Sequence, residues 1–476
     1  VCWWGESTCV CVRLSMGDCV RLLGCVGLWL LLVLLLASPC VEATLHRNSE
    51  DFNDGVVRGP MDDQLGNFWQ MTDLHIDFNY LVGSSPYCDK PLCCHSFNSS
   101  DPRKAAPFGD YQCDLTEVMF RSALEFAAQQ TPKVDSIMWT GDSPSHWLWE
   151  QSPEIVLGII QNVTDLFHEY FPSTPVFPVI GNHDTFPVDE LAPPPQYGWL
   201  FNGLQKMWSN LLSAESQKTF VQGGFFTELL EPGFRLVVTN TQWSDPLNFY
   251  LIVNDTDPAG QLAWLHETLL QARAAGEKVL MVGHIPQAPY SDLKSLLPTQ
   301  EMCIPSYCAK YIDMSVEFAD LIVGHLFGHT HHDYFRVVRD QRNGSNEPVG
   351  VYYVMSSLTP YKNHNPTIRR YIYNKTNFEI VDIETYWTDL GKDIKDGTIT
   401  WELEYRTKDL YNLEDLSPQS WADLVDRFQD DDELFQKFYL YRDSSFPKSP
   451  CTGKCKAQYI CELGTANGSS SKCIPK

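Results

Sequence analysis

Five short stretches carry side chains that are costly to bury and able to hold cations. They are Asp73-Leu74-His75, Gly141-Asp142, Gly181-Asn182-His183-Asp184, Gly283-His284 and Gly328-His329-Thr330-His331. Imidazole, carboxylate and amide oxygen together suit zinc, and manganese or iron less well. The cysteines lie elsewhere in the chain, so no thiolate competes. In Asp-x-His and His-x-His, an extended backbone would turn residues i and i+2 to one side, where both reach one ion. The full set is Asp73, His75, Asp142, Asn182, His284, His329 and His331, about the number that a two-metal site requires. Among the other histidines, His332 is expected to be solvent-exposed or to stand behind the ligands. His325 follows an apolar strand and is expected to be a satisfied core residue, while His168, His266 and His364 fall outside any ligand motif.

The elements that must position these groups are legible too. Each stretch follows a run of strand length: "NFWQMT", "DSIMWT", "VFPVI", "KVLMVG" and "LIVGHLF". Side chains at the carboxyl ends of strands escape the packed sheet and can share a crevice. Further runs, "FRLVVTNT" and "VYYVMSS", add strands. Helical patterns alternate with the earlier ones. "DLTEVMFRSALEFAAQQ" places Leu115, Met119, Ala123 and Phe126 on one face, with Asp114 expected as N-cap. "PEIVLGIIQNVTDLFHEYF" and "GQLAWLHETLLQARAAG" read the same way, the second closing on Gly276. Alternating strands and helices imply an α/β core. After about Tyr386 the texture changes to a helical stretch, "WADLVDRFQDDDELFQKFYLYRD", and a short cysteine-rich tail.

The 476 residues carry a net charge of -25, which repels a nucleic-acid backbone and excludes polymer binding as the main role. The run "LLGCVGLWLLLVLLLASPCVEA" at 22–43, preceded by Arg21, has the layout of a secretory signal, with cleavage expected near Ala43. No second run approaches the roughly 20 residues of a membrane span. Ten cysteines follow the leader in three clusters without a CxxC pair, as in a disulfide framework of an oxidising compartment. Sequons at Asn98, Asn162, Asn254, Asn343, Asn374 and Asn467 point to N-glycans and a secreted, extracellular or lysosomal, residence.

The ordered set DLH, GD, GNHD, GH and GHTH resembles the calcineurin-like metallophosphoesterases. With "PFGDYQCD", "DPAGQLAWL", "FGHTHHD" and "WELEY", the chain from about Asn67 to Cys473 looks like the acid sphingomyelinase-like phosphodiesterases. A catalytic region that follows the leader almost directly resembles the smaller, secreted branch. The resemblance implies a four-layer α/β/β/α sandwich with a catalytic domain at 67–385. A small helical, disulfide-stapled region at 386–476 would follow, with the leader at 1–43. It implies two Zn2+ ions, one on Asp73, His75 and His331, the other on Asn182, His284 and His329, with Asp142 bridging. Purple acid phosphatases place a tyrosine three residues after the bridging aspartate; Ser145 stands here, which favours zinc over iron.

The chemistry implied is attack of a metal-activated hydroxide on phosphorus. His183 would protonate the leaving oxygen, Asp184 would orient its ring and raise its pKa, and His146 would bond a phosphate oxygen. The expected substrate is a small phosphodiester or nucleotide-like phosphoanhydride, with sphingomyelin, cleaved to phosphocholine, as the alternative. A metal-stabilised binding protein would have lost a ligand or the acid, and all are present. The family pattern also implies the pairs Cys88–Cys93, Cys94–Cys113, Cys303–Cys308, Cys451–Cys455 and Cys461–Cys473.

Overall fold

The computed structural model describes residues 64–97, 101–130, 134–288 and 302–467, and the backbone of two short N-terminal strands. Those strands, β1 (Cys2–Gly5) and β2 (Thr8–Cys11), pair antiparallel within a first unit, Val1–Val57. The apolar leader at 22–43, Asn98 and Cys473 lie outside the described residues.

The second unit, Arg58–Lys476, is built on two six-stranded sheets. One runs β14 (Glu402–Arg406), β13 (Ile380–Trp387), β12 (Thr367–Asn374), β3 (Leu65–Met71), β4 (Ser136–Trp139) and β5 (Val176–Pro178). The other runs β10 (Tyr334–Asp340), β11 (Glu347–Val354), β9 (Ile322–Phe327), β8 (Lys278–Val282), β7 (Phe234–Val238) and β6 (Phe226–Glu231). The strands β3, β4 and β5 are parallel, as are β7, β8 and β9, so their carboxyl ends share one edge of each sheet.

Alternation along the strands separates the layers. On β3, Phe68 stacks at 4.9 Å on Tyr371 of β12, and Tyr371 meets Tyr353 of β11 at 6.1 Å, between the sheets. Trp69 faces the other way with Tyr386, which meets Phe126 of α1 (Glu117–Gln130) at 5.3 Å. Trp139 likewise packs on Phe167 of α2 (Pro153–Tyr170). On β11, Tyr352 turns outward to Tyr311 of α6 (Pro305–Glu317). Helix, sheet, sheet and helix are therefore stacked in the expected four layers. Each large side chain buried there contributes about 1.5–3 kcal/mol.

One local reading is corrected, and a second is borne out and resolved further. Asp114 does not cap α1: Thr116 Oγ1 accepts from Met119 N at 3.2 Å instead, and Asp114 is drawn away to another partner described below. The long C-terminal helical stretch is two helices, α9 (Pro418–Asp430) and α10 (Asp432–Tyr441). Asp431 breaks it by adopting an extended backbone and accepting Leu434 N at 2.9 Å, the behaviour of an N-cap. Trp421, Leu424, Val425 and Phe428 share the buried face of α9. Gly276 closes α5 (Gln261–Ala275) in the left-handed conformation at φ 71°. The four described disulfides, Cys88–Cys93, Cys94–Cys113, Cys303–Cys308 and Cys451–Cys455, follow the implied pairing. Among the described residues, no helix is long and apolar enough to cross a membrane.

Candidate metal centre

Each of the five stretches begins one to four residues past a strand: Asp73 after β3, Asp142 after β4, Asn182 after β5, His284 after β8, and His329 with His331 after β9. The backbone there is not extended, contrary to the i, i+2 expectation. Asp73, His75, Asp142, His329 and His331 all have positive φ, between 41° and 70°. Left-handed backbone at a non-glycine residue costs of order 1–3 kcal/mol and persists where the surroundings impose it. Each chain leaves its strand and coils tightly, and this turning, rather than strand alternation, brings the paired side chains together. Gly141, at φ 92°, is needed for the same reason. A Cβ on it would lie 2.8 Å from Gly181 N and 2.9 Å from His284 Nδ1.

The seven side chains converge. His75 Nε2 lies 3.0 Å from His331 Nε2 and 3.5 Å from Asp142 Oδ2, and His331 Nε2 lies 3.4 Å from Asp73 Oδ1. On the other side, Asn182 Oδ1 lies 3.1 Å from His284 Nε2 and 2.8 Å from His329 Nδ1. Asp142 Oδ2 reaches His284 Nε2 at 3.1 Å, so one carboxylate oxygen stands between the two groups. Its Oδ1 accepts from His183 N at 2.8 Å.

The donor set fits cations. His284 donates from Nδ1 to Thr140 O at 2.7 Å, and His75 from Nδ1 to Pro144 O at 3.0 Å. Both rings therefore turn an Nε2 lone pair inward, the arrangement in which a carbonyl behind a histidine fixes its tautomer for a metal. Asn182 Nδ2 donates to Asp189 Oδ1 at 2.8 Å, which aims its oxygen inward as well. Lone pairs and a carboxylate facing one another at 3.0–3.5 Å repel unless positive charge sits among them. Electrostatics report the same demand. Burial pushes the His75 imidazole well below its ordinary value and His329 down to about 4. Burial opposes charge on His284 also, yet the Asp142 carboxylate outweighs it and lifts this histidine to about 10.

The expected Asp184–His183 pair is not formed. Asp184 accepts three backbone amides, Gly181 N at 2.7 Å, Asp142 N at 2.9 Å and Ser143 N at 3.0 Å, and so pins the loops after β4 and β5 together. His183 Nδ1 has no hydrogen-bond partner among the described residues, and burial pushes the ring down to about 3, not up. A carboxylate–histidine pair that does form beside His183 is Asp114–His146. Asp114, fully buried, accepts His146 Nδ1 at 2.8 Å and His146 N at 2.6 Å, with Thr359 Oγ1 at 3.2 Å. The His146 ring stacks 4.0 Å from His75 and lies 4.7 Å from His183 and 4.8 Å from Tyr361. Neither Asp114 nor Asp189 was legible as part of the site: Asp114 acts on a histidine 32 residues away, and Asp189 turns back onto Asn182 from seven residues further along the same loop.

Of the histidines outside the set, His325 is buried beside Tyr311 OH at 3.2 Å, as expected, while His168 is exposed and His266 half-buried, neither within a group of metal-competent side chains among the described residues. His332 and His364 differ: both line the same cleft, with His364 buried. Asn365 and Arg369 are structural ties. Asn365 bonds Tyr111 OH, Leu390 N and Ser444 O, and Arg369 pairs with buried Asp333 and Tyr405.

Two packed sheets presenting a dimetal donor set at their strand ends define a metallophosphoesterase. The chain belongs to the calcineurin-like phosphoesterase family, which its residues 66–333 match, and residues 347–476 match the acid sphingomyelin phosphodiesterase C-terminal region. It is 36% identical to sphingomyelinase phosphodiesterase C of Dictyostelium discoideum, over 84% of this chain and 90% of that protein. It is 32% identical to the human cyclic GMP-AMP phosphodiesterase SMPDL3A, over 84% and 87%. Human sphingomyelin phosphodiesterase is 34% identical over 84% of this chain and 63% of its own length.

Proposed function

We propose that this chain is a phosphodiesterase that uses two zinc ions to hydrolyse phosphodiester or phosphoanhydride bonds of small nucleotide-like substrates. One observation carries it: a single oxygen of Asp142 stands within 3.1 and 3.5 Å of histidines from two separate ligand groups. Asp73, His75 and His331 would hold one ion, Asn182, His284 and His329 the other, and Asp142 both. When bound, such a pair acidifies water and neutralises charge on phosphoryl oxygens. The protein's own part is to orient the ester and deliver a proton. His146, its Nδ1 held by Asp114, turns Nε2 to the cleft as the donor to the leaving oxygen. His183, neutral and unpartnered at Nδ1, contacts a phosphoryl oxygen. This exchanges the roles expected from the sequence.

The cleft, of about 540 Å3, is rimmed by Lys362 and Arg442, which favours an anionic, phosphate-rich substrate over a zwitterionic headgroup. The relative named for cyclic GMP-AMP hydrolysis agrees with that choice. Sphingomyelin is the second reading, supported by exposed Leu247, Phe249, Ile252 and Val253, an apolar group able to meet a membrane. We further read the chain as a secreted or lysosomal glycoprotein, with exposed sequon asparagines at Asn162, Asn254 and Asn343. Product release from ATP, CDP-choline and vesicle-borne sphingomyelin, with and without chelator, decides the substrate. Chelator-sensitive cleavage of the two nucleotides supports the reading. Cleavage of sphingomyelin alone, or turnover indifferent to chelation, refutes it.

A further inference from the structure

The cleft continues past the metal centre to side chains that the hydrolytic chemistry leaves unused. His332, His364 and Asp443 bring ligand atoms within 4.8 Å of one another. The His364 ring lies 4.9 Å from His332 and 6.1 Å from His331, so this group adjoins the centre within one molecule's reach. His364 is only 5% exposed and lines the cleft, and its Nδ1 has no hydrogen-bond partner among the described residues. A buried ring nitrogen left unpartnered beside a cavity is a place for a ligand to bond.

The spacing alone would admit a cation, but the charges do not. Asp443 already pairs with Arg442 Nη1 at 2.7 Å and with Lys448 Nζ, and His332 Nδ1 lies 3.0 Å away. Lys362 lines the same cleft. Two cations pair with this one carboxylate and a third, Lys362, lines the cleft, in a chain whose net charge is -25. A divalent ion on Asp443 would sit against two fixed positive charges, whereas an anion would meet a guanidinium, an ammonium and imidazole donors. Aromatic rings hold the cations in place: Lys448 lies 3.6 Å over Tyr439 and Arg442 5.0 Å over Tyr459.

We propose that His332, His364, Arg442 and Lys362 form a second phosphoryl subsite, which holds the outlying phosphate of a substrate whose reacting phosphate lies at the metal centre. The proposal rests on the phosphodiesterase reading and narrows it to substrates with two or more linked phosphates. Sphingomyelin, with one phosphate, gains nothing from such a subsite.

The test is calorimetric binding of ADP, used as its uncleavable α,β-methylene analogue, and of AMP to the zinc-loaded full chain, comparing wild type with His364→Leu and with Lys362→Ala. Lys362 is exposed, so its replacement keeps the test available if His364→Leu does not fold. Wild type is expected to prefer ADP by about tenfold or more, and each variant to lose most of that preference. Equal affinity of wild type for ADP and AMP, or a preference retained in the variants, overturns the subsite. So does a third equivalent of zinc that wild type binds and His364→Leu does not. Turnover of bis(nitrophenyl) phosphate by wild type is scored separately: its absence fails the phosphodiesterase reading, whereas the ADP preference alone decides the subsite.

Discussion

Replacing Asp114 by Asn is the sharpest perturbation of the proposed proton delivery. The carboxylate is fully buried and receives His146 Nδ1 at 2.8 Å and His146 N at 2.6 Å. An asparagine keeps the volume and can still accept one bond, but it removes the charge that orients and supports a protonated imidazole. A charge-assisted hydrogen bond contributes about 1.5–3 kcal/mol; taking about 2, at 1.36 kcal/mol per decade, gives a loss of about thirtyfold. That loss falls on steps that need a proton. The assay is kcat across a series of diesters with leaving groups of rising basicity, with zinc content measured on the same preparations. The expected result is a loss of about thirtyfold for alkyl leaving groups, under threefold for nitrophenyl esters, and unchanged zinc. Equal losses across the series, or losses that track missing zinc, refute the assignment of His146 as donor.

Other outcomes follow from the same geometry. Asp142→Asn should leave less than one zinc per chain by elemental analysis, because its Oδ2 faces both ligand groups; full occupancy would show that it does not bridge. Gly328→Ala would drive a Cβ into Thr72 Oγ1 and the Asp73 carboxylate, so at least a tenfold loss of activity is expected in a chain that still folds by circular dichroism. Wild-type activity there would mean that the Thr72–Asp73 loop yields freely. Burial pushes Glu404 up to about 8 from 4.5, so the folded chain holds that proton more tightly than the unfolded one. Its contribution to stability is complete below pH 4.5 and is lost as pH rises towards 8. Glu404→Gln should therefore narrow the difference in denaturation midpoint between pH 5 and pH 8, and an unchanged difference would count against it.

Strands and the layering they imply were legible because apolar runs of fixed length ended in residues that sheets do not bury. The convergence of Asp73, His75, Asp142, Asn182, His284, His329 and His331 followed from that punctuation. Their local backbone was not legible: a spacing of two suggested extension, whereas packing imposes left-handed φ at five of the seven. Short-range reasoning also misplaced two carboxylates. Asp184 stands next to His183 in sequence yet accepts backbone amides, and Asp114 stands before a helix yet holds a histidine 32 residues away. Neighbours in sequence gave the wrong partner in both cases, since the pairing is set by which strand ends the fold brings side by side. His364 was set outside the ligand motifs for the same reason: nothing in "TPYKNHNPTIRR" tells that its ring lines the cleft.

The account turns on two cations caged by seven side chains. Mass-spectrometric metal analysis of the purified, active protein, before and after exhaustive chelation, addresses that most directly. Two zinc ions per chain are predicted, with activity lost on stripping and restored as the second equivalent is returned. Full turnover by a chain carrying no stoichiometric transition metal would contradict the account.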